Sequence, residues 1–231
     1  MRGAGLVAVL LMALFLASCG GGGGGDSADK AHIDEETGST NGVAPDERAG
    51  IPPHPVKVAN LRKAAERAGC YLYLGLKDEG NDHVPPESET PKYKTNPPTS
   101  GNHVKPPNQQ ADGAYLEQPF PLDFVGSLEY GRMEIQYAPD LSEESQLELK
   151  GLYDTFYEGT LLFPNTEMLY GVAATTWTNL LACPGWERAK TADAIRAFGK
   201  VTWGKFGAER KEALALTGPT PADPAESSAS K

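Results

Sequence analysis

The chain has 231 residues, with 31 acidic against 21 basic side chains and a formal net charge of −10. No basic cluster or arginine-rich helix offers the electrostatic footprint that phosphate-backbone binding requires, so no nucleic-acid partner is expected. With flexible ends set aside, the length suits one domain of ordinary size.

The first segment has the layout of a secretory signal. Arg2 gives a short cationic start, and residues 6–17 form an unbroken apolar run too short to span a bilayer comfortably. Leu16-Ala17-Ser18-Cys19 then resembles a bacterial lipobox. That resemblance implies that residues 1–18 are removed, that Cys19 is diacylated on sulfur and that its new amine is acylated. Several acyl chains on one residue hold far more firmly than a single myristoyl chain. The expected address is the extracytoplasmic face of a bacterial cell membrane, with membrane lipid as the partner of Cys19.

Six glycines follow, leading into Asp26, Asp29, Asp34, Glu35 and Glu36 with almost nothing bulky and apolar. Residues 19–55 are therefore expected to be a disordered tether. Residues 217–231, rich in Pro, Ala and Ser, read as a disordered tail. The globular domain is expected over residues 56–216.

Within it, Val58, Leu61, Ala65 and Ala68 fall on one helical stripe, and Gly69 supplies a stop, which predicts a helix over residues 56–68. Residues 70–77 alternate tyrosine and leucine, the pattern of a short strand buried on both faces. From 78 to 123 no period persists, and nine prolines keep removing amide donors, which predicts a long ordered loop pinned by Tyr93 and Tyr115. Residues 132–137 alternate polar and apolar, a strand with one buried face. Ser142 caps a helix carrying Leu149, Leu152, Tyr153 and Phe156 on its apolar stripe. Residues 160–163 and 171–177 read as strands, and Thr191 starts a final helix bearing Ile195, Phe198 and Trp203. The order predicts an α+β fold, a small mixed or antiparallel sheet packed against about three helices.

With Cys19 lipidated, Cys70 and Cys183 remain as an even pair, and outside the cytoplasm such a pair predicts a disulfide. Ser100 and His103 suggest a nucleophile with its base, but no G-x-S-x-G elbow surrounds the serine. Thr99 and Ser100 fit better as turn hydroxyls. Glu129 is expected to pair with Arg132 or Lys105 rather than to act as a base. Trp177 and Trp203 belong to the core by pattern, whereas Trp186, beside Pro184-Gly185, is expected at the surface.

Three strings occur together: Gly80-Asn81-Asp82-His83-Val84, Pro97-Pro98-Thr99-Ser100-Gly101-Asn102-His103, and Val125-Gly126-Ser127-Leu128-Glu129-Tyr130-Gly131-Arg132. With Val172-Ala173-Ala174-Thr175-Thr176-Trp177 and Cys183, they resemble an uncharacterised bacterial family, the domain of unknown function 3105, over roughly residues 69–206. In the family pattern a histidine follows Gly-x-x, another ends PPTSG-x-His, and two more flank a Leu-Glu. This chain keeps the first two as His83 and His103, retains Glu129, and carries Gly126 and Tyr130 where the other two would stand.

The family names no activity, and no complete catalytic constellation is present. The first expectation is a membrane-anchored binding or structural module with no cofactor. The alternative is a metal-binding protein or metal-dependent enzyme, holding zinc, copper or iron through His83, His103 and Glu129, with the phenol of Tyr130 as an optional ligand. Gly126 and Tyr130 argue for weak metal affinity, with His103 kept for hydrogen bonding. Convergence of the three side chains would favour the metal reading. In either case the site is expected where the loop of residues 97–103, including Pro97, Pro98, Thr99, Ser100 and Gly101, meets residues 126–132.

Overall fold

The computed structural model describes residues 40–156 and 158–204. The signal segment, Cys19, the first part of the expected tether and the tail of residues 217–231 lie outside the described residues.

The first helix, α1 (Leu61–Arg67), starts at Asn60, whose side chain accepts from Lys63 N. Starting there leaves residues 56–60 outside the expected helix. At its end Gly69, at φ 68°, donates to Glu66 O, and Cys70 N donates to Ala65 O, the paired bonds of a Schellman cap. Strands β1 (Tyr71–Tyr73) and β2 (Gly113–Ala114) flank the long loop, and helix α2 (Pro121–Glu129) follows it. Then come β3 (Met133–Tyr137), α3 (Glu143–Tyr153), β4 (Thr160–Pro164), β5 (Val172–Thr176), β6 (Asn179–Cys183) and α4 (Arg188–Thr202).

The strands form one mixed sheet in the order β1-β6-β5-β3-β4-β2. Strand β4 runs parallel to β3 and β2, joined to β3 through α3, and the remaining pairs are antiparallel. One face carries Ile135, Leu162, Val172, Ala174 and Leu181 against Leu61 of α1, Leu149 and Leu152 of α3, and Ile195 and Phe198 of α4. The other face carries Leu161 and Phe163 against Phe124, Val125 and Leu128 of α2, with Tyr115, Trp177 and the half-buried Tyr93. The described residues thus form a single α+β domain with both faces of the sheet covered.

That second cover corrects several sequence expectations. Strand β3 is buried throughout, so Glu134 and Gln136, expected on a wet face, lie beneath the α2 and loop layer. Helix α2 carries no amphipathic signal in the sequence, because its residues from Leu122 to Glu129 are all buried and leave no polar stripe to set a helical period. Its Pro121 sits in the first turn, where a missing amide proton costs nothing, rather than breaking structure. Strand β6 was also missed, since the β5–β6 turn is Trp177-Thr178 without a glycine, and Thr178 itself takes φ 60°. Conversely β1 is an edge strand with Tyr71 and Tyr73 exposed, not a strand buried on both faces. Helix α4 begins three residues before Thr191, whose hydroxyl accepts from Glu187 N at 2.9 Å.

The segment 40–55, expected in the tether, packs on the domain. Asp46 N donates to Ala114 O and Leu116 N to Ala44 O, extending the β2 edge. Farther on, Ile51 N donates to Leu147 O of α3. A Cβ on Gly50 would lie 2.2 Å from Gly151 N, so the two backbones meet where neither residue has a side chain. Cys70 and Cys183 form the expected disulfide, tying the entry of β1 to the end of β6. Trp186, expected at the surface, is half-buried and donates to Glu148 Oε2 at 2.6 Å; Trp177 and Trp203 lie in the core.

Candidate metal centre

The long loop contributes both histidines through a backbone bridge. His103 N donates to Asp82 O at 3.2 Å and Val84 N donates to His103 O at 2.8 Å, pairing the residue 83 and 103 segments in parallel. The rings stand edge to face with centroids 5.1 Å apart. The loop is held down by Tyr93, whose hydroxyl donates to Asn102 O at 2.8 Å. Gly101 has φ 132°, and a Cβ there would lie 2.6 Å from the Tyr93 ring, so the glycine of the PPTSG string is required twice over. Pro97 follows a cis peptide bond, and Pro97, Pro98, Thr99 and Ser100 are buried.

Glu129 arrives from the other side, as the last residue of α2. Its Oε2 lies 3.1 Å from His83 Nε2 and 2.8 Å from His103 Nε2. Asn81 Nδ2 donates to the other carboxylate oxygen, Oε1, at 3.1 Å. His103 and Glu129 are buried, whereas the His83 side chain is 36 % exposed. The site therefore has a closed floor and an open rim.

The hydrogen-bond inventory orients the inner imidazole. His103 Nδ1 lies 2.7 Å from the Gly101 carbonyl, which can only accept, so Nδ1 carries a proton. Nε2 then faces a carboxylate oxygen, and either a second proton or a cation must lie between them. A backbone carbonyl on one ring nitrogen is the usual device for turning the other toward a metal. The edge of Trp177 closes against His103, with centroids 5.8 Å apart. Burial works against the ionised form of Glu129, but the hydrogen bond and charge of His103, with Asn81 and His83, carry its pKa below the ordinary value.

His83, His103 and Glu129 each offer one ligand atom, all within 4.8 Å of one another, and together could hold a metal ion. Ligand atoms around a tetrahedral zinc lie about 3.4 Å apart, so the two Nε2–Oε2 separations would widen by a few tenths of an ångström to admit it, and the two rings would adjust their own separation within the 4.8 Å that spans the set. The expected ion pair of Glu129 is corrected here: Arg132 Nε donates to Asp112 Oδ1 at 3.1 Å, and the partners of Glu129 are the two histidines and Asn81. Ser100 is not aligned on His103; its Oγ accepts from Glu79 N at 3.0 Å, a bond across the loop to a distant residue rather than the local turn bond expected. Thr99 contributes its carbonyl, which accepts from Thr178 N at 2.8 Å. Tyr130 caps α2, and its carbonyl accepts from Arg132 Nη1 at 3.3 Å.

Gly126 stands directly against the site. A Cβ there would lie 3.4 Å from His103 Cδ2, but only 2.7 Å from the Val104 carbonyl oxygen. A side chain at 126 would thus point toward the histidine, and this backbone leaves no room for one. Asn81 and the Gly101 carbonyl were not anticipated. Neither residue type signals a ligand-orienting role in sequence, because that role depends on the carboxylate and the ring it meets.

A second polar group lies deeper. Glu134 is fully buried on β3, and burial pushes its pKa well above the ordinary value, against hydrogen bonds from Gln136 and Thr175. Gln136 in turn accepts from Asn165 Nδ2 at 2.7 Å, and Asn165 Nδ2 also donates to Asn96 Oδ1 at the surface.

No curated protein and no solved structure matches the chain. A family model does, over residues 83–212, a span that takes in more than half of the chain and contains His83, His103 and Glu129. The chain belongs to that family, described as protein of unknown function DUF3105.

Proposed function

We propose that this protein is an extracytoplasmic lipoprotein, anchored at the membrane through acylated Cys19, whose domain binds a transition-metal ion through His83, His103 and Glu129. The observation that carries the metal reading is the convergence of two imidazole Nε2 atoms on one carboxylate oxygen, at 3.1 and 2.8 Å. Residues twenty and twenty-six positions apart in the chain meet there, on a floor rigidified by Tyr93 and Gly101. Two imidazoles with one carboxylate suit zinc, copper(II) or iron(II), and suit calcium or magnesium poorly.

The anchoring rests on Leu16-Ala17-Ser18-Cys19 and the apolar run before it. The Cys70–Cys183 disulfide fits an oxidising compartment. No described helix is long and apolar enough to cross a membrane.

Elemental analysis and titration with zinc, copper and iron(II) test the metal reading, on the full chain in detergent beside His83→Ala, His103→Ala and Glu129→Gln. One ion per chain, lost in His103→Ala and Glu129→Gln, is the expected result. An affinity indifferent to all three substitutions would refute the site.

A further inference from the structure

We propose that an ion held by His83, His103 and Glu129 keeps one coordination position open on the His83 side, and that this position takes a small monoanion. The inference rests on the metal-binding reading and goes on to assign the site a ligand.

Four features lead to it. No fourth His, Cys, Asp or Glu joins the three ligands among the described residues, and a transition ion with three protein ligands completes its shell from outside. Glu129 is held to one ligating oxygen, because Asn81 Nδ2 occupies Oε1 at 3.1 Å while both histidines face Oε2. Position 126 supplies no further ligand from the inner side: a Cβ there would meet the Val104 carbonyl oxygen at 2.7 Å and Gln109 Cβ at 3.3 Å. His103 and Glu129 are buried, and only His83 reaches solvent, which fixes the side from which a ligand approaches.

Charge selects the kind of ligand. A divalent ion, two neutral imidazoles and one carboxylate leave a net charge of about +1, which a monoanion neutralises. Asp78, Glu79 and Asp82 lie within the five residues before His83, and their negative charge opposes a multiply charged ligand such as phosphate. Asn81 is thereby a positioning residue: it never touches the ion, and it keeps the carboxylate from turning bidentate and closing the open position.

The test uses cobalt(II) as the probe ion in the detergent-purified full chain, with the visible ligand-field spectrum read during titration by azide and, separately, by inorganic phosphate. Azide should shift the cobalt bands saturably, and phosphate should not. Asn81→Ala should still bind cobalt but lose about tenfold in azide affinity, the scale on which outer partners of metal ligands act. That split between cobalt and azide affinity is one that a merely structural role for Asn81 does not produce. Failure to bind cobalt would overturn the metal-binding reading itself. Cobalt bound with a spectrum indifferent to azide would overturn the open position alone, and would mean that another protein group, such as the Tyr130 phenol, closes the site. An equal response to phosphate would overturn the preference for a monoanion, and an azide affinity unchanged in Asn81→Ala would overturn the role of Asn81.

Discussion

His83 and His103 share one backbone bridge and one carboxylate oxygen. The bridge sets the rings 5.1 Å apart, and the two Nε2 atoms lie 3.1 and 2.8 Å from Glu129 Oε2. Both links are local in space and distant in sequence. The pair is therefore a product of the loop's path across the sheet, and its two members sit in different surroundings, one at the rim and one in the floor.

That difference predicts unequal costs of removal. His103→Ala leaves the buried Glu129 carboxylate without its nearest hydrogen-bond partner and should destabilise the fold by about 3 kcal/mol, the upper part of the range for a buried polar group left unsatisfied. His83, partly in solvent, should cost less than about 1 kcal/mol. Urea unfolding at neutral pH measures both, and equal losses would contradict the assignment of floor and rim.

Gly126 is a packing requirement. Gly126→Ala places a methyl 2.7 Å from the Val104 carbonyl oxygen. The displacement should cost about 1–3 kcal/mol, the range of overpacked sites. Gly126→His should be less stable still; a histidine there that raised metal affinity at undiminished stability would show that the Val104 segment yields freely.

Asp123 makes stability depend on pH. Burial raises its pKa to about 6, opposed by the hydrogen bond from Asn41 Nδ2 at 2.8 Å. The folded state thus binds the proton more tightly than the unfolded chain does, so this contribution is fully present below the unfolded pKa and is lost as pH rises through about 6. Asp123→Asn should be more stable than wild type at pH 7, by about 1–2 kcal/mol after allowance for solvent screening, with the gain gone near pH 4. Denaturant midpoints of the two proteins at both pH values give the comparison; a constant difference would exclude Asp123 as its source.

The Cys70–Cys183 disulfide spans 113 positions and joins an exposed edge strand to a buried one. Reduction, or Cys70→Ala with Cys183→Ala, should lower stability by up to about 5 kcal/mol on the loop-entropy scale. Thermal melts with and without reductant give the value, and an unchanged melting temperature would show that the cross-link constrains little.

Cys19→Ala should remove the acyl anchor and block processing at that residue. Intact-mass measurement on protein from native membranes reads the modification, and fractionation reads the location. An unmodified cysteine in the membrane-derived protein would end the lipoprotein reading.

Where patterns are local, the sequence alone was enough. The apolar stripe from Val58 to Ala68 and Gly69 after it announced a helix and its stop, Ser142 a cap, and the even pair of cysteines a cross-link, because each signal involves neighbours in the chain or simple parity. The residues of the candidate centre were also named in advance, since His83, His103 and Glu129 stand in motifs that resemble a family's. Tertiary structure decided what those residues meet. Helix α2 is buried on every side, so it carries no amphipathic period, and with α2 unseen Glu129 had no visible route to the histidines. The alternation in β3 promised a wet face only because nothing local foretold the layer that covers Glu134 and Gln136. Glu129 was matched to the nearest cation in sequence, Arg132, yet the fold gives Arg132 to Asp112 and gives Glu129 to two rings carried by the loop. Periodicity reports which side of an element is apolar; which polar groups end within 3 Å of each other is set by how the chain crosses itself, and that information is not local.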